Sequence, residues 1–486
     1  MNSAPAVRHA TKPKVLLINP LNELVAITDT TNNYFNRFRI WKPLALMVLA
    51  GHTPPDWDVQ LIDENLGKPD YDKLPNPDLV GVSAFTSQAK SAYEVADYWR
   101  ARGVKVVMGG VHATYRTEEA LQRVDSVVTG EADELWPKLL DDAKNGKLQR
   151  TYAGGFADMA KVPPARHDLL PDKYFFGSIQ VSRGCPIGCS FCSVTVFNGA
   201  KLRSRQIDEA VEELKNVPES FVLIVDDNLI GTSKKQIAYA KDLFRAMIKA
   251  KHGKRWMGQV TINFGDDEEL LQLAREAGCF GVLIGFESPT NEGLAEVRKT
   301  FNTKKNRDLQ ASVKRIHEHG IQIAGSFALG LDVDQTGIGQ KIAEAAAHYG
   351  VDVVNTLFLT PLPGTRLFEK MKAEGRIIAD DYPNDWKYYT LTYPVVRYKN
   401  LTWAQAVNEM NDVNRHFYTL PKIAKRVANA LWLTKRPLSV LAGLMTNLSY
   451  RYNRHKENQI SSLMDLSREK PPVPSEVHQQ PIQQIG

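Results

Sequence analysis

Short runs of consecutive apolar residues, each closed by polar ones, recur at residues 14–19, 59–63, 79–83, 104–108 and 126–129. Apolar residues at successive rather than alternate positions mark strands buried on both faces. Between these runs the apolar spacing changes to three and four residues, most clearly over 89–102, which predicts helices. Strand and helix alternate, so the N-terminal third is predicted to be α/β, a doubly wound parallel sheet. Such sheets bind ligands at the carboxyl ends of their strands. That rule places Ser83-Ala84-Phe85-Thr86 and Gly109-Gly110-Val111-His112-Ala113-Thr114 on the binding edge. The glycine pair would let a large planar or phosphate-bearing ligand approach the backbone. The alternation stops over 146–171, where Gly154-Gly155 and Pro163-Pro164 read as an extended linker, and then resumes. Further strands are predicted at 179–182, 222–226, 256–261, 281–285, 321–327 and 353–358, with helices such as 266–277 and 309–319 between them.

The length of 486 residues suits two to three domains, and 43% hydrophobic with 24% charged residues is the composition of a soluble globular protein. No run of about 18 apolar residues occurs, so a spanning helix is not expected. Residues 1–14 lack the apolar core of a signal peptide, and a cytoplasmic location is expected. The net charge of +6 is concentrated: residues 413–456 contain nine Lys and Arg and no acid. There Phe417, Leu420, Ile423, Val427, Leu431 and Leu433 alternate with Lys422, Lys425, Arg426, Lys435 and Arg436, with Trp432 among them, and 438–448 with Arg451 and Arg454 repeats the character. A basic amphipathic helix on the cytoplasmic face of an anionic membrane and a helical cap with solvated lysines both fit. The apolar content argues against nucleic acid as a partner. The Tyr- and Trp-rich stretch 386–397 fits either a substrate-facing wall or ordinary packing.

Three of the four cysteines form Cys185-x3-Cys189-x2-Cys192 directly after a predicted strand. Thiolates this close on a Gly- and Pro-containing loop can face one soft metal centre, and no fourth ligand is near. An iron–sulfur cluster with one open iron fits that count. A four-ligand zinc site and a disulfide or redox pair are the alternatives. Cys279, at a predicted helix-to-strand turn, reads as a packed thiol.

With Phe191 just before the last cysteine, the loop resembles the signature of the radical S-adenosylmethionine (SAM) enzymes. The resemblance implies a 4Fe-4S cluster on Cys185, Cys189 and Cys192, whose open iron SAM closes. It also implies that the later strands form a partial (β/α)6 barrel with SAM contacts at their carboxyl ends. The residues so implicated are Phe191, Asp226 and Asp227 at the second strand, and Gln259 at the third. Glu287 at the fourth, Ser326 at the fifth and Leu359 after the sixth complete the set. Asp227 could also simply cap the next helix.

Residues 107–114 and 129–134, preceded by 42–50, resemble the cobalamin-binding domain of the class B radical SAM proteins. This implies corrin contacts from Ser83, Thr86, Gly109, Gly110, His112 and Glu131. No Asp-x-His-x-x-Gly motif is present, so His112 is expected to hydrogen-bond the corrin or pack its loop rather than ligate cobalt. The expected organisation is a disordered lead-in at 1–13, a cobalamin-binding Rossmann-like domain at 14–145 and a linker at 146–175. A radical SAM barrel at 176–375, a helical basic region at 376–460 and a disordered tail at 461–486 follow.

The resemblance implies C-methylation of an unactivated carbon, through a 5′-deoxyadenosyl radical and a methyl group delivered by cobalamin. The basic C-terminal region points to a lipid or isoprenoid-like substrate. Oxidative cyclisation or rearrangement by the same two domains, and a non-catalytic cobalamin or metal sensor, are the alternatives. The resemblance also implies an electron donor such as flavodoxin or ferredoxin.

Overall fold

A computed structural model describes residues 12–24, 42–170, 174–434, 440–441, 443–451 and 468 of the chain. The expected lead-in and tail lie outside the described residues, apart from 12, 13 and 468, as do Lys435, Arg436 and Arg454 and the side chain of Leu433.

Strand β1 (Lys14–Asn19) centres the first sheet. Leu16 and Ile18 enter one apolar core while Val15 and Leu17 enter a second on the opposite face. Helices cover both faces, which is why the run is apolar throughout. Strands β2 (Asp58–Asp63), β3 (Leu79–Ser83), β4 (Lys105–Gly109), β5 (Ser126–Thr129) and β6 (Thr151–Ala153) complete it in the order β2-β1-β3-β4-β5-β6. Every pair is parallel, with Leu17 opposite Leu61 and Ile18 opposite Val82. The strand order reverses between β1 and β3, and the ligand crevice of a doubly wound sheet opens there. β6 falls within the segment expected to be linker; at three residues with only Tyr152 buried, it leaves almost no pattern to read.

The second sheet contains β7 (Phe176–Ile179), β10 (Phe221–Ile224), β11 (Arg255–Val260), β12 (Cys279–Glu287), β13 (Gln322–Leu329) and β14 (Val353–Phe358), parallel and side by side in chain order. Two short strands, β8 (Ser182–Arg183) and β9 (Arg203–Ser204), pair antiparallel and frame the cysteine loop. The first strand of this sheet ends at Ile179, where the prediction began it, because the chain turns there: the Asp226 carboxylate accepts from Val181 N at 2.8 Å. One core runs unbroken from the first sheet through this second one. A buried ion pair between Lys42 and Glu219, 2.6 Å apart, also joins them.

Helix Trp403–Phe417 caps the barrel. It buries Trp403, Ala406, Val413 and Phe417, and its Glu409 side chain accepts from Gly337 N and Gly339 N at 2.8 and 2.7 Å. A Cβ at Gly339 would meet the Glu409 carbonyl at 2.1 Å, so the two helices approach through glycine. No described helix is long and apolar enough to cross a membrane. In the barrel wall, Trp256 is fully buried, stacks on Phe244 at 5.2 Å and donates to Ala277 O at 2.9 Å. Trp256→Ala is expected to cost about 3–5 kcal/mol in urea unfolding, and an unchanged midpoint would contradict this packing.

Candidate functional site

The cysteine loop is built from backbone constraints. Gly184 sits at φ +99°, and a Cβ there would meet Lys201 O at 2.5 Å; Gly188 is also left-handed, at φ +73°. Cys185 N donates to Gly199 O at 3.1 Å and Cys192 N to Cys189 O at 3.3 Å, while Ser190 is tied to Val297 and Leu367 through its backbone. The three thiols are half-buried, and no disulfide consumes them. Burial pushes Cys189 up to about 12 and Cys192 up to about 11, and each feels the neighbouring thiols. Among the described residues no three His, Cys, Asp or Glu groups are gathered closely enough to hold a single ion.

Two acids hold this loop from beneath. Asp226 is fully buried and accepts from Val181 N and from Ser182 Oγ at 2.5 Å. Burial raises its pKa to about 7 against those hydrogen bonds. Asp227 accepts from Gly184 N and Asn198 Nδ2, both at 2.9 Å. Opposite them Glu287, strained at φ +65°, is paired with the buried Lys299 at 2.7 Å, and the ammonium also lies within electrostatic reach of Cys185 and Cys189. Burial is the largest single influence and opposes the Lys299 charge, but Glu287, Cys189 and Cys185 together outweigh it and the pKa is raised.

The remaining positions expected from the sequence distribute unevenly. Gln259 is exposed near the carboxyl end of β11, and Phe191 is half-buried against the core. Ser326 lies inside β13, which runs two residues further than predicted, to Leu329. Leu359 is buried just past β14, its N–H donating to Leu329 O at 2.8 Å. On the first sheet Ser83, Gly109 and Gly110 meet at one edge. Gly110 is at φ +91°, and a Cβ there would fall 2.9 Å from Ala84 O and 3.0 Å from Ser83 Oγ. Thr86 is buried in the adjoining turn, whereas Phe85 beside it is exposed.

Three of the expected side chains are already engaged by the protein itself. Asp226 has no surface open to a ligand, because the turn after β7 encloses it. His112 is likewise fully enclosed: its Nε2 meets Tyr93 Oη at 2.9 Å, its ring packs on Trp386 at 5.3 Å, and burial lowers its pKa. Trp386 donates to Glu119 at 2.7 Å, so the aromatic stretch of the C-terminal region buttresses the first sheet. Stacked on Trp386, Tyr382 lines a cleft of about 580 Å³ with Tyr115 and Arg116.

Glu131 is the third. Its carboxylate is buried between Arg183, at 2.9 Å, and Arg203, and it also accepts from Ala157 N at 2.8 Å. Arg183 forks onto Asp133 at 2.9 and 3.0 Å, and His52 flanks Asp133 at 3.4 Å. Burial would raise Asp133, yet the His52 and Arg183 hydrogen bonds hold it well below the usual carboxylate range. This buried network joins the loop after β5 to the residues flanking the cysteines.

Residues 179–335 match the radical SAM superfamily and residues 36–140 match the B12 binding domain. The bacteriochlorophyllide d C-12(1)-methyltransferase of Chlorobaculum tepidum is 30% identical over 87% of this chain and 91% of its own. The chain belongs to the cobalamin-dependent radical SAM methyltransferases. The hopanoid C-2 methylase of Rhodopseudomonas palustris is 27% identical over 70% of this chain and 65% of its own. The radical SAM methyltransferase TsrM of Kitasatospora setae, solved with cobalamin and a 4Fe-4S cluster, shares the fold at a TM-score of 0.58. It is 18% identical, over 75% of this chain and 78% of that one.

The cofactors of this radical SAM methyltransferase are a 4Fe-4S cluster, SAM and cobalamin. The donor sets fit them. Three soft thiols share one loop beside a buried cation that can balance an anionic cluster. Gly110, with no Cβ to meet Ala84 O and Ser83 Oγ, lets the turn after β4 lie directly against the end of β3, so that backbone and Ser83 rather than bulky side chains form the edge a corrin would meet. Lys299, Arg183 and Arg203 escaped the sequence reading because charged residues outside a motif look like solvated surface; only the tight Arg-x-Cys spacing at 183–185 hinted at one of them.

Arg183→Met would leave buried Asp133 with only His52 and buried Glu131 with only Arg203 as ionic partners, and is expected to lower stability by about 3–5 kcal/mol in denaturant titration. Arg183→Lys should recover only part of that, for want of the planar fork. For Asp226, the raised folded pKa means that the folded state binds more protons between pH 3.8 and about 7, so stability falls as pH rises through that window. Asp226→Asn should flatten this slope while keeping the Val181 hydrogen bond; an identical pH profile would refute the assignment.

Proposed function

We propose that this enzyme transfers a methyl group to an unactivated carbon of a hydrophobic, lipid or isoprenoid-like substrate. The likeness to both a bacteriochlorophyllide and a hopanoid methylase carries the reading, since hopanoids are lipids and the two relatives span much of the same chain. Cys185, Cys189 and Cys192 would hold the cluster. Glu287 with Lys299, Gln259, Asp227, Phe191, Ser326 and the Leu359 loop would surround SAM. Ser83, Gly109 and Gly110 would seat the corrin, and the exposed Phe85 could cover its face.

When bound, the three cofactors supply one-electron reduction, hydrogen abstraction and a transferable methyl group. The protein's own part is placement. The Arg183 network ties the loop after β5 to the cysteine loop, Asp226 and Asp227 fix that loop's entry, and the continuous core between the two sheets would help keep water from a radical formed there. A small one-electron reductant such as flavodoxin or ferredoxin would supply the electron.

In anaerobically reconstituted protein, Cys189→Ala should lose the bound iron and all 5′-deoxyadenosine formation. Lipid extracts of cells with and without the gene should differ by one CH2 in an apolar product. A product carrying a new ring and no added carbon would instead establish the cyclase chemistry.

A further inference from the structure

The two C-terminal helices carry apolar residues on both faces: Ile423, Val427 and Leu444 pack on the core, and a second set faces outward. On helix Leu420–Thr434 the inner side carries Ile423, buried on the barrel, and Arg426. The Arg426 guanidinium lies 3.9 Å from the centre of the Phe417 ring and donates to Asn447 Oδ1 at 2.7 Å, and Asn447 in turn donates to Asp352 O at 3.1 Å. Polar ties therefore face the protein. The outer side carries Leu420, Ala424, Ala428 and Leu431, spaced four, four and three residues apart and all exposed, with Trp432 82% exposed beside them. Residues 443–451 form the neighbouring helix, and Leu441, Met445 and Leu448 repeat the same outward spacing there.

An apolar stripe of this kind facing solvent marks an interaction surface. Its charge decides which one. Lys422, which donates to His416 O at 2.7 Å, and Lys425 are exposed on the same helix, and residues 413–456 contain no acid. A protein partner's hydrophobic patch would need no such one-sided charge, whereas lipid phosphates would. No described helix can span a bilayer, so contact is confined to the interface.

We propose that the outer face of these helices docks on an anionic lipid surface, with Leu420, Leu431, Trp432, Leu441, Met445 and Leu448 entering the headgroup layer and the lysines pairing with phosphate. The proposal stands on this face alone and is independent of the substrate reading. Flotation of the full chain with phosphatidylcholine vesicles, with and without phosphatidylglycerol, tests it. Binding is expected only with the anionic lipid. Both the variant carrying L431Q, W432Q and M445Q and the variant carrying K422E and K425E should lose on the order of tenfold in partitioning. Unchanged melting temperatures would show that both variants remain folded. Trp432→Phe should remove part of a vesicle-induced blue shift in fluorescence. No flotation, or equal flotation of wild type and the glutamine variant, would overturn the proposal. So would a lipid-independent dimer that the glutamine variant dissolves, since the face would then join two copies.

Discussion

The buried guanidinium of Arg183, forked onto Asp133 and bonded to Glu131, is the contact on which the arrangement of the two sheets depends. A charge withdrawn from water costs several kcal/mol unless it is paired and hydrogen-bonded. Here two acids on the loop after β5 meet two arginines that flank the cysteine loop, so neither side can be moved alone without leaving a charge unpaired. Placement of the loop after β5 against the cysteine loop is thus an electrostatic condition. The Lys42–Glu219 pair and the shared apolar core reinforce it at greater distance.

Around that join, several groups whose chemistry suggested ligand contact are structural. Asp226 holds the turn that brings the chain into the cysteine loop, Glu131 anchors the join, and His112 packs between Tyr93 and Trp386. The candidates that remain are fewer and simpler: Ser83 with the glycines beside it, three half-buried thiols and the buried Glu287–Lys299 pair. This division suits radical chemistry, in which the cofactors supply reactivity and the protein supplies position and dryness.

The C-terminal region serves two purposes. Helix Trp403–Phe417 closes the barrel through the contact at Gly339, and the 382–389 segment buttresses the first sheet through Trp386 and Glu119. The helices beyond it pack through Ile423 and Arg426 and leave a second, outward stripe uncovered. The inner face accounts for the cap set out from the sequence, and only the outer face bears on the lipid contact proposed above.

The two parallel sheets and the three-thiol loop were legible in the local pattern of the chain. Each is local: a run buried on both faces must be apolar throughout, and cysteines eight residues or fewer apart need no fold to meet. Strand β14 and strand β3 lie where their patterns put them, while β6 was missed because three residues show no period. Tertiary structure alone decided which charged and polar groups face a ligand. Asp226 and Asp227 are neighbours in the chain, yet one is sealed and the other half-exposed, and Arg183 finds its partners fifty residues away. A side chain's residue type states what it can bond; only the folded surroundings state whether protein has already taken that bond.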